Sequence, residues 1–360
     1  MQSSLLFLPD ISGFTQFVQN TEVEHSQHVI SELLEVLIDA NTENLQLAEI
    51  EGDALFFYKE NEIPSLEKLL AQAEHMFTAF YSHLKLLEKN RICPCNACST
   101  APNLQLKIIA HCGELQFITV QNNRKPFGAE VIEAHRLMKN SVQSDNYVLL
   151  SANLTSHLQL DESYQTKLFS FQKGNDTYDS NNLDYYYSIL DAENLKLKPF
   201  QQAKKVEFQR KPDFTITNEL PITAQELMEL LSNFNYRKHW VEDVEFHFDS
   251  NQVNRIGTEH VCVIKDKHLN FTTITKKGKP GQLVYGEMTT TPKPIDALYQ
   301  FQIITPLTDN SCRLETEVYI EATSIFKKIL VFLLIKRAFK KGTTEAMEKL
   351  VKFVSAKIQN

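Results

Sequence analysis

The stretch LFLPDISGFTQF, from Leu6 to Phe17, has the pattern of a buried strand that leads into a helix. Apolar residues run directly into Asp10, and the chain then turns at Gly13. The aspartate has two interpretations. Asp10 or Ser12 could cap the helix by accepting hydrogen bonds from its first N–H groups. Asp10 could instead bind a metal ion, and the choice depends on the rest of the chain.

The composition is that of a globular protein large enough for two cores. The chain has 360 residues, of which 42% are hydrophobic and 23% charged. Its net charge of -8 argues against a nucleic-acid partner. The beginning of the chain lacks a signal-peptide pattern, and the longest apolar run, Ile329–Ile335, is too short to span a bilayer. We therefore expect a cytoplasmic protein without stable membrane insertion, whose cysteines form no disulfide framework.

Up to Leu190, short apolar strands alternate with amphipathic helices. This order predicts an α+β sandwich, with helices on one face of a mostly antiparallel sheet. Glu51-Gly52-Asp53 is predicted to form a hairpin turn, and Gly113 to lie between two paired strands. The predicted strands are Leu5–Leu8, Leu45–Ile50, Ala54–Tyr58, Leu104–His111, Leu115–Val120, Tyr147–Leu150 and Tyr185–Leu190, and the predicted helices are Ile30–Ile38, Leu66–Leu87 and Phe127–Ser141.

The pattern changes near residue 200, which predicts a domain over residues 1–195, a linker or edge strand over 196–211, and a second domain over 206–360. In the second part, the strand Phe214–Leu220 and a helix over Ala224–Ser232 precede six strands and a long closing helix. That last helix places Ile325, Ile329, Phe332, Ile335 and Phe339 on one face, with lysines nearby. It could lie on a membrane surface or pack in the core, and we favour packing in the core.

Three stretches carry a family resemblance: LPDISGFT, EIEGDALFF (with Asp53) and KPFGAEVIEAHRLM, which starts at Lys125. In this order they resemble the class III adenylate/guanylate cyclase catalytic domain, over roughly residues 4–190. The resemblance implies a ferredoxin-like cyclase sandwich that works as a homodimer. The chain also resembles a family of uncharacterised bacterial proteins, DUF2652, in which such a domain precedes a lipid-transfer-like module.

The cyclase resemblance implies a metal and nucleotide site. Asp10 and Asp53, joined by the Ile11 backbone carbonyl, would hold Mg²⁺ or Mn²⁺, because hard cations need converging oxygen ligands. Ser12, Gly13 and Phe14 at the helix start would offer N–H groups to phosphate. For Asp53 the alternative is a simple turn residue, a common role of aspartate beside glycine.

Several positions depart from the cyclase pattern. Ile132 stands where active cyclases have an asparagine, and it cannot donate the hydrogen bond that stabilises the transition state. Arg136 matches the family arginine, although a solvated helix charge remains the alternative. Lys173 is a candidate replacement for the phosphate-binding lysine. Glu49 and Lys125 occupy the base-selecting positions, where they would suit guanine or form a salt bridge across an empty site; we favour the salt bridge.

The stretch NRICPCNACST holds Cys93, Cys95 and Cys98 in a C-x-C-x-x-C arrangement. Zinc needs four nitrogen or sulfur ligands, and the fourth could be Cys112, His111 or a residue of a dimer mate. The alternative is a loop of free thiols. The sequence therefore indicates a possible zinc site without completing it.

The element order of the second part, together with the segment FNYRKHWVEDVEF, resembles the helix-grip fold of the START-like (SRPBCC) superfamily. The resemblance implies a cavity for a lipid or another hydrophobic small molecule, although fold alone does not fix function. Aromatic residues that could line the cavity or belong to the core are Phe234, Trp240, Phe246, Phe271, Tyr285 and Phe301.

Two functions from different classes follow. The first is a non-catalytic sensor or scaffold, whose degenerate cyclase-like domain dimerises, retains nucleotide or metal binding, and carries a hydrophobic-ligand module. The second is an active cyclase, acting on GTP rather than ATP and regulated by that module. Ile132 favours the first, while Asp10, Asp53 and Arg136 keep the second open. A START-like enzyme acting on a polyketide-like substrate would be a third class, but no catalytic residue can be named for it.

Overall fold

The computed structural model describes residues 2–161, 163–178, 181–200, 205–241, 244–249, 254–264, 266–291 and 293–359. The chain divides into two compact units. The first comprises residues 1–86 and 100–200, and the second comprises 87–99 and 201–360. The division at residue 200 falls inside the predicted linker, whereas the grouping of residues 87–99 with the second unit was not anticipated from the sequence.

The first unit is a mixed α+β structure, as predicted. Its strands are β1 (Ser4–Ser12), β2 (Gln46–Glu51), β3 (Ala54–Lys59), β4 (Gln105–Gly113), β5 (Gln116–Val120), β6 (Asn123–Phe127), β7 (Tyr147–Ser151), β8 (Gln172–Tyr178) and β9 (Asn181–Ile189). Its helices are α1 (Phe14–Gln19), α2 (Val23–Asp39), α3 (Leu66–Asn90), α4 (Asn96–Thr100), α5 (Ala129–Leu137) and α6 (Ala152–Leu158), with 3₁₀ turns at Ala101–Asn103 and Ala192–Asn194. The end of α3 and the start of α4 group with the second unit.

Seven strands form the main sheet of the first unit, in the order β2-β3-β1-β4-β7-β9-β8. All neighbours are antiparallel except β4 and β7. The continuous apolar sequence of β1 reflects its central place, because all nine of its residues are buried. The hairpin β2–β3 lies on one side of β1 and β4 on the other, so Asp10 near the end of β1 lies between two neighbouring strands.

The predicted strand pairing around Gly113 is wrong. Strand β4 pairs with β1 and β7, whereas β5 pairs with β6 in a separate two-stranded sheet. Strand β6 was not predicted because its sequence NRKPF is mainly polar and contains a proline. The two residues between the strands, Gln121 and Asn122, both have positive φ angles, as in a type I′ hairpin turn.

The second unit follows the predicted order of elements. Its strands are β10 (Phe214–Leu220), β11 (Glu245–His247), β12 (Glu259–Ile264), β13 (Lys267–Ile274), β14 (Leu283–Thr289), β15 (Ala297–Thr308) and β16 (Ser311–Glu321). Its helices are α7 (Ala224–Ser232), α8 (Phe234–Arg237), α9 (Ile325–Leu330) and α10 (Lys336–Gln359), with a π-helical segment, Val331–Ile335, between the last two.

The strands of the second unit form one antiparallel sheet in the order β10-β16-β15-β14-β13-β12-β11. Its core joins the sheet to the helices. Leu227 of α7, Ile304 of β15 and Leu350 of α10 are fully buried in one cluster. A capping box on Thr223 and Glu226 starts α7. Helix α7 and the closing helix therefore both pack against this sheet.

The predicted burial of the whole apolar face of the closing helix is wrong. Ile335 and Phe339 pack against a core cluster, but Ile325, Ile329 and Phe332 are more than half exposed. Phe332 and Ile335 both lie in the π-helical segment, whose i→i+5 hydrogen bonds break the 3.6-residue repeat on which the prediction relied. None of the described helices has both the length and the apolar character needed to cross a bilayer.

Candidate functional site

The end of β1 brings Asp10 and Asp53 together. The Cα of Asp10 lies opposite Ala54 of β3 and Lys107 of β4. Asp53 occupies the turn between β2 and β3, and the Ile11 N–H donates a hydrogen bond of 3.1 Å to its carbonyl oxygen. This backbone hydrogen bond fixes the turn against β1. The two carboxylates that the sequence places 43 residues apart therefore share one site.

The electrostatics of this site reflect two acids and one base. Burial raises the pKa of Asp53 to about 6, and the charge of Asp10 and a hydrogen bond with it act in the same direction. Lys107 partly opposes this rise in the pKa. Its Nζ lies 3.0 Å from Oδ2 of Asp10. Two converging carboxylates with a single lysine leave one excess negative charge, an arrangement that a divalent cation would stabilise.

Ser12 adds an unpartnered polar group to this site. Its Oγ is buried and has no hydrogen-bond partner among the described residues. Ser12 and Asp10 are two residues apart on β1 and therefore point to the same face. The capping interpretation is wrong, because the N-cap of α1 is Gly13, with a φ of 88°, and no side chain caps it. With six residues, α1 is too short for its N–H groups alone to define a phosphate site.

Glu49 and Lys125 form the ion pair that the sequence suggested. Nζ of Lys125 lies 2.8 Å from Oε2 of Glu49, and both side chains are partly exposed. Arg124 also links the β5–β6 hairpin to the main sheet. It donates two hydrogen bonds of 2.8 Å to Glu60, the residue that follows β3. The guanidinium of Arg124 also lies 3.5 Å from the ring centroid of Phe117. An exposed pair such as Glu49–Lys125 is worth about 0–1 kcal/mol, so a bound base could displace it at small cost.

Helix α5 carries Ile132 and Arg136. Ile132 is half exposed, whereas Arg136 is partly buried on the same helix. His135 lies between them, with its Nε2 2.9 Å from Oε2 of Glu51. Its ring packs edge-to-face against the ring of Phe56. Ile132 therefore presents an apolar side chain, without a hydrogen-bond donor, on this helix. Lys173 lies on β8, with its Nζ 5.6 Å from the ring centroid of Tyr186.

Cys93, Cys95 and Cys98 form a buried thiol cluster in the second unit. Their sulfur atoms lie within 4.8 Å of one another, and each residue is more than nine-tenths buried. Backbone N–H groups point at two of these sulfurs, from Cys95 to Cys93 at 3.5 Å and from Cys98 to Cys95 at 3.3 Å. Hydrogen bonds with Cys93 and Cys95, followed by burial, raise the pKa of Cys98. The cluster could hold a metal ion, which would favour the thiolates over the thiols.

The two predicted fourth ligands, His111 and Cys112, lie on β4 of the first unit. Both ring nitrogens of His111 have partners, Ser151 Oγ at Nδ1 and Glu130 Oε2 at Nε2, each at 2.8 Å. Burial, followed by the charges of Glu130 and Glu133, raises the pKa of Cys112 to about 11. Neither residue is among the clustered metal ligands of the described chain. The Ser151–His111–Glu130 chain is not a nucleophilic site either, because Ser151 is buried and caps α6.

The second unit contains a cavity of about 400 Å³ between its sheet and the closing helix. Trp240 lines it, together with Arg237, Gln300, Phe339 and Met347. The other predicted pocket residues do not line this cavity. Phe234, Tyr285 and Phe301 are buried, and Phe246 and Phe271 are partly buried beside Phe234 and His260. The cavity is mainly apolar, with one cation at its wall.

A charged network that the sequence did not reveal lies behind this wall. Arg237 donates from both terminal nitrogens to Glu287, with Nη2 2.9 Å from Oε2. Tyr285 donates to Glu287 at 2.6 Å. Burial alone would raise the pKa of Glu287, but the charge and hydrogen bonds of Arg237 lower it to about 2. His260 Nε2 lies 3.4 Å from Glu287 Oε1 without forming a hydrogen bond.

Lowering the pH through 6 is expected to destabilise the second unit, because His260 must stay neutral. Burial lowers its pKa from 6.5 to about 4, so between these values the unfolded chain binds more protons. The free energy of unfolding has its full value above pH 6.5 and falls by about 3 kcal/mol on acidification, while Glu287 remains ionised. Urea unfolding followed by the fluorescence of the single tryptophan, Trp240, measures this change. A His260→Phe variant with the same pH dependence as the wild type would contradict it.

Comparisons with known sequences match only part of the chain. A family model described as "Protein of unknown function (DUF2652)" matches residues 30–147, less than half of the chain. The uncharacterized protein Rv2561/Rv2562 of Mycobacterium tuberculosis is 32% identical over 122 residues, which are 34% of this chain and 57% of that protein. The chain therefore spans little more than half the length of this curated relative.

Solved structures similar to the chain are class III cyclase domains. The guanylyl cyclase domain of the RhoGC fusion protein of Blastocladiella emersonii is 14% identical, with 53% of this chain and 97% of that chain covered and a TM-score of 0.39. The adenylyl cyclase CyaB of P. aeruginosa is 16% identical, with 53% and 94% covered and a TM-score of 0.39. At TM-scores below 0.5 these similarities do not establish an activity.

Proposed function

We propose that the first unit is a cyclase-like domain that binds a divalent cation and a nucleotide without cyclising it, and that the second unit binds a hydrophobic ligand. The observation that carries the first part is the convergence of Asp10 and Asp53 at the end of β1, beside the unpartnered Oγ of Ser12. The motif order described above supports the same assignment.

The cation site would use Asp10, Asp53 and the Ile11 backbone carbonyl as oxygen ligands. Mg²⁺ or Mn²⁺ would neutralise the phosphates of a nucleoside triphosphate bound there. The Lys107 ammonium, 3.0 Å from Asp10 in its absence, would have to give up that contact. Asp53 would have to lose its proton, which its raised pKa makes less favourable below pH 6.

The absence of cyclisation would follow from the side chain of Ile132 on α5. Ile132 has no hydrogen-bonding side chain, and removing one preorganised donor typically costs a hundredfold to a thousandfold in rate. Arg136 alone does not replace that donor. An active cyclase remains the second candidate, favoured by the intact pair of carboxylates.

Base selection would depend on the Glu49–Lys125 pair. Guanine presents donors at N1 and N2 and an acceptor at O6, which complement a carboxylate and an ammonium. Since the pair is exposed and weak, guanine could exchange places with it. GTP is therefore the preferred nucleotide of this proposal.

A second copy of the chain would complete the site. Large apolar side chains are exposed on β2, the β5–β6 hairpin and α5, close to the Glu49–Lys125 pair. Such a concentration is typical of an interface between protein copies. These residues are Leu47, Ile50, Ile118, Val120, Phe127 and Ile132.

The cysteine cluster would hold a structural zinc ion. Tetrahedral zinc with Zn–S distances near 2.3 Å separates its sulfur ligands by about 3.8 Å, and the three sulfur atoms already lie within 4.8 Å of one another. The N–H groups of Cys95 and Cys98 would stabilise the bound thiolates. A fourth nitrogen or sulfur ligand would complete the site.

The hydrophobic-ligand assignment rests on the 400 Å³ cavity, which falls within the usual size range of small-molecule sites. Arg237 lines it, and its Nε is buried without a partner among the described residues. An apolar ligand with one hydrogen-bond acceptor would satisfy that donor. A lipid or another hydrophobic small molecule, the class of ligand that the START-like resemblance implies, would fit this description.

The test of the proposed function measures binding and turnover in the same samples. Purified protein is incubated with Mn²⁺ and GTP or ATP, bound nucleotide is determined by equilibrium dialysis, and cyclic product by chromatography. We expect nucleotide binding that depends on Asp10, without cyclic product. Absence of metal-dependent nucleotide binding would refute the proposal.

A further inference from the structure

The start of the closing helix exposes an unusual apolar surface. Six large apolar side chains between residues 325 and 334, on α9 and the π-helical segment, are 54–78% exposed. We call this set the docking face. Its members are Ile325, Phe326, Ile329, Phe332, Leu333 and Leu334. Contiguous exposed apolar surfaces of this kind mark sites of protein or membrane interaction.

Contacts with the rest of the second unit fix the orientation of the docking face. Val331, between its members, is buried in a core cluster with Phe214 and Val318. Ser324 caps α9, and its Oγ accepts the N–H of Lys327 at 3.2 Å. The Lys327 ammonium in turn bonds Asp296. The segment therefore cannot turn its apolar side inward without breaking these contacts.

The charge around the docking face is opposite to that of the whole chain. Residues 325–341 contain six basic residues and no acidic residue, whereas the chain carries a net charge of -8. Among the described residues, Lys328 and Lys336 have no acidic side chain within ion-pair distance. This local positive charge repels a second copy of the same face and attracts an anionic surface. The basic residues are Lys327, Lys328, Lys336, Arg337, Lys340 and Lys341.

A cavity of about 610 Å³ adjoins the docking face. Its lining includes Lys328, Lys336 and Arg210, together with the docking-face residue Phe332. Arg210 is paired with Asp213 at 2.8 Å, and Glu321 also lines the cavity, so the three cations and two carboxylates leave one net positive charge, on the side of Lys328 and Lys336. A phosphate group in this cavity would leave its attached hydrocarbon beside Phe332.

We propose that the docking face binds the surface of an anionic phospholipid membrane, with lipid phosphates at Lys328 and Lys336. An apolar helical face flanked by lysines is the pattern of a helix that lies in the membrane interface. The alternation of exposed apolar and basic side chains along one segment matches acyl chains and anionic headgroups together. This inference does not depend on nucleotide binding by the first unit.

Flotation of the full-length protein with vesicles tests this inference. Vesicles of phosphatidylcholine alone are compared with vesicles that also contain phosphatidylglycerol. We expect binding to the anionic vesicles at least about tenfold tighter than to the neutral ones, with a loss of binding at high salt. Absence of binding to anionic vesicles would overturn the proposal.

Two double variants separate the apolar contribution to membrane binding from the electrostatic one. Phe326→Ser with Phe332→Ser is expected to weaken binding to anionic vesicles by about tenfold or more, and because both side chains are exposed the fold should persist. Lys328→Glu with Lys336→Glu should abolish the preference for phosphatidylglycerol. The matched control is Lys277→Glu with Lys279→Glu, on an exposed turn, which changes the net charge equally and should retain binding.

Two further outcomes would overturn the proposal. Equal losses in the lysine variant and its control would show only a general charge effect. A dimer in sedimentation experiments that the phenylalanine variant dissociates, without vesicle binding by the wild type, would assign the docking face to a second copy of the chain. Melting temperatures of all variants confirm that the comparison is made between folded proteins.

Discussion

Replacing Asp10 with asparagine is expected to weaken Mn²⁺ binding by about a hundredfold or more. The substitution keeps the shape of the side chain but removes one of the two charges that would hold the cation. Asp53 would then face Lys107 without its acidic partner, so its preference for the protonated form should also diminish. Electron paramagnetic resonance of free Mn²⁺ measures the affinity directly, with and without GTP.

Three controls make this result specific. Asp145→Asn removes an exposed carboxylate of the same unit and should leave Mn²⁺ affinity unchanged. Lys107→Ala should strengthen Mn²⁺ binding, because the lysine competes for Asp10. Wild-type affinity should fall as the pH decreases through about 6, where Asp53 takes up its proton. Equal Mn²⁺ affinities in the wild type and Asp10→Asn would refute the metal site.

Serine in place of Cys95 is expected to abolish zinc binding and to lower the melting temperature by about 10 °C. Cys95 is central to the cluster, since its N–H donates to Cys93 and its sulfur accepts from Cys98. Purified wild-type protein should contain about one zinc ion per chain by elemental analysis. A strong chelator should destabilise the wild type and leave the variant unaffected.

The matched control for the cysteine cluster is Cys312→Ser, which also changes a buried cysteine of the second unit. It should keep its zinc even if it loses some stability. Zinc analysis of Cys112→Ser asks whether this residue, one of the predicted fourth ligands, is needed for zinc binding. Wild-type protein that contains no zinc and does not bind it on titration would contradict the site.

The sequence was most informative where a single buried strand or a local motif decided the structure. The run ending at Asp10 predicted a central strand, and Gly52-Asp53 predicted the hairpin that brings the second carboxylate to it. The helix over Ala224–Ser232 was also predicted correctly, and the structure shows a capping box at its start. In each case neighbouring residues determine the structure.

The remaining features depend on contacts that no local pattern encodes. Strand β8 is mostly polar on both faces, so it lacks the alternation that identifies a strand. The Arg237–Glu287–His260 network joins residues far apart in the sequence, and only the packing of α8 against the sheet brings them together. The exposure of the docking face was predicted wrongly, because its sequence pattern fits a buried helix as well as an interfacial one and packing in the core was favoured.

The proposed activity of the first unit is binding of a nucleotide with a divalent cation, without cyclisation of that nucleotide. The most direct test is incubation of the purified protein with GTP or ATP and Mn²⁺, with chromatographic detection of cyclic nucleotide and Asp10→Asn in parallel. We expect bound GTP that is recovered unchanged. Cyclic product that disappears in Asp10→Asn would contradict it and would show an active cyclase despite Ile132.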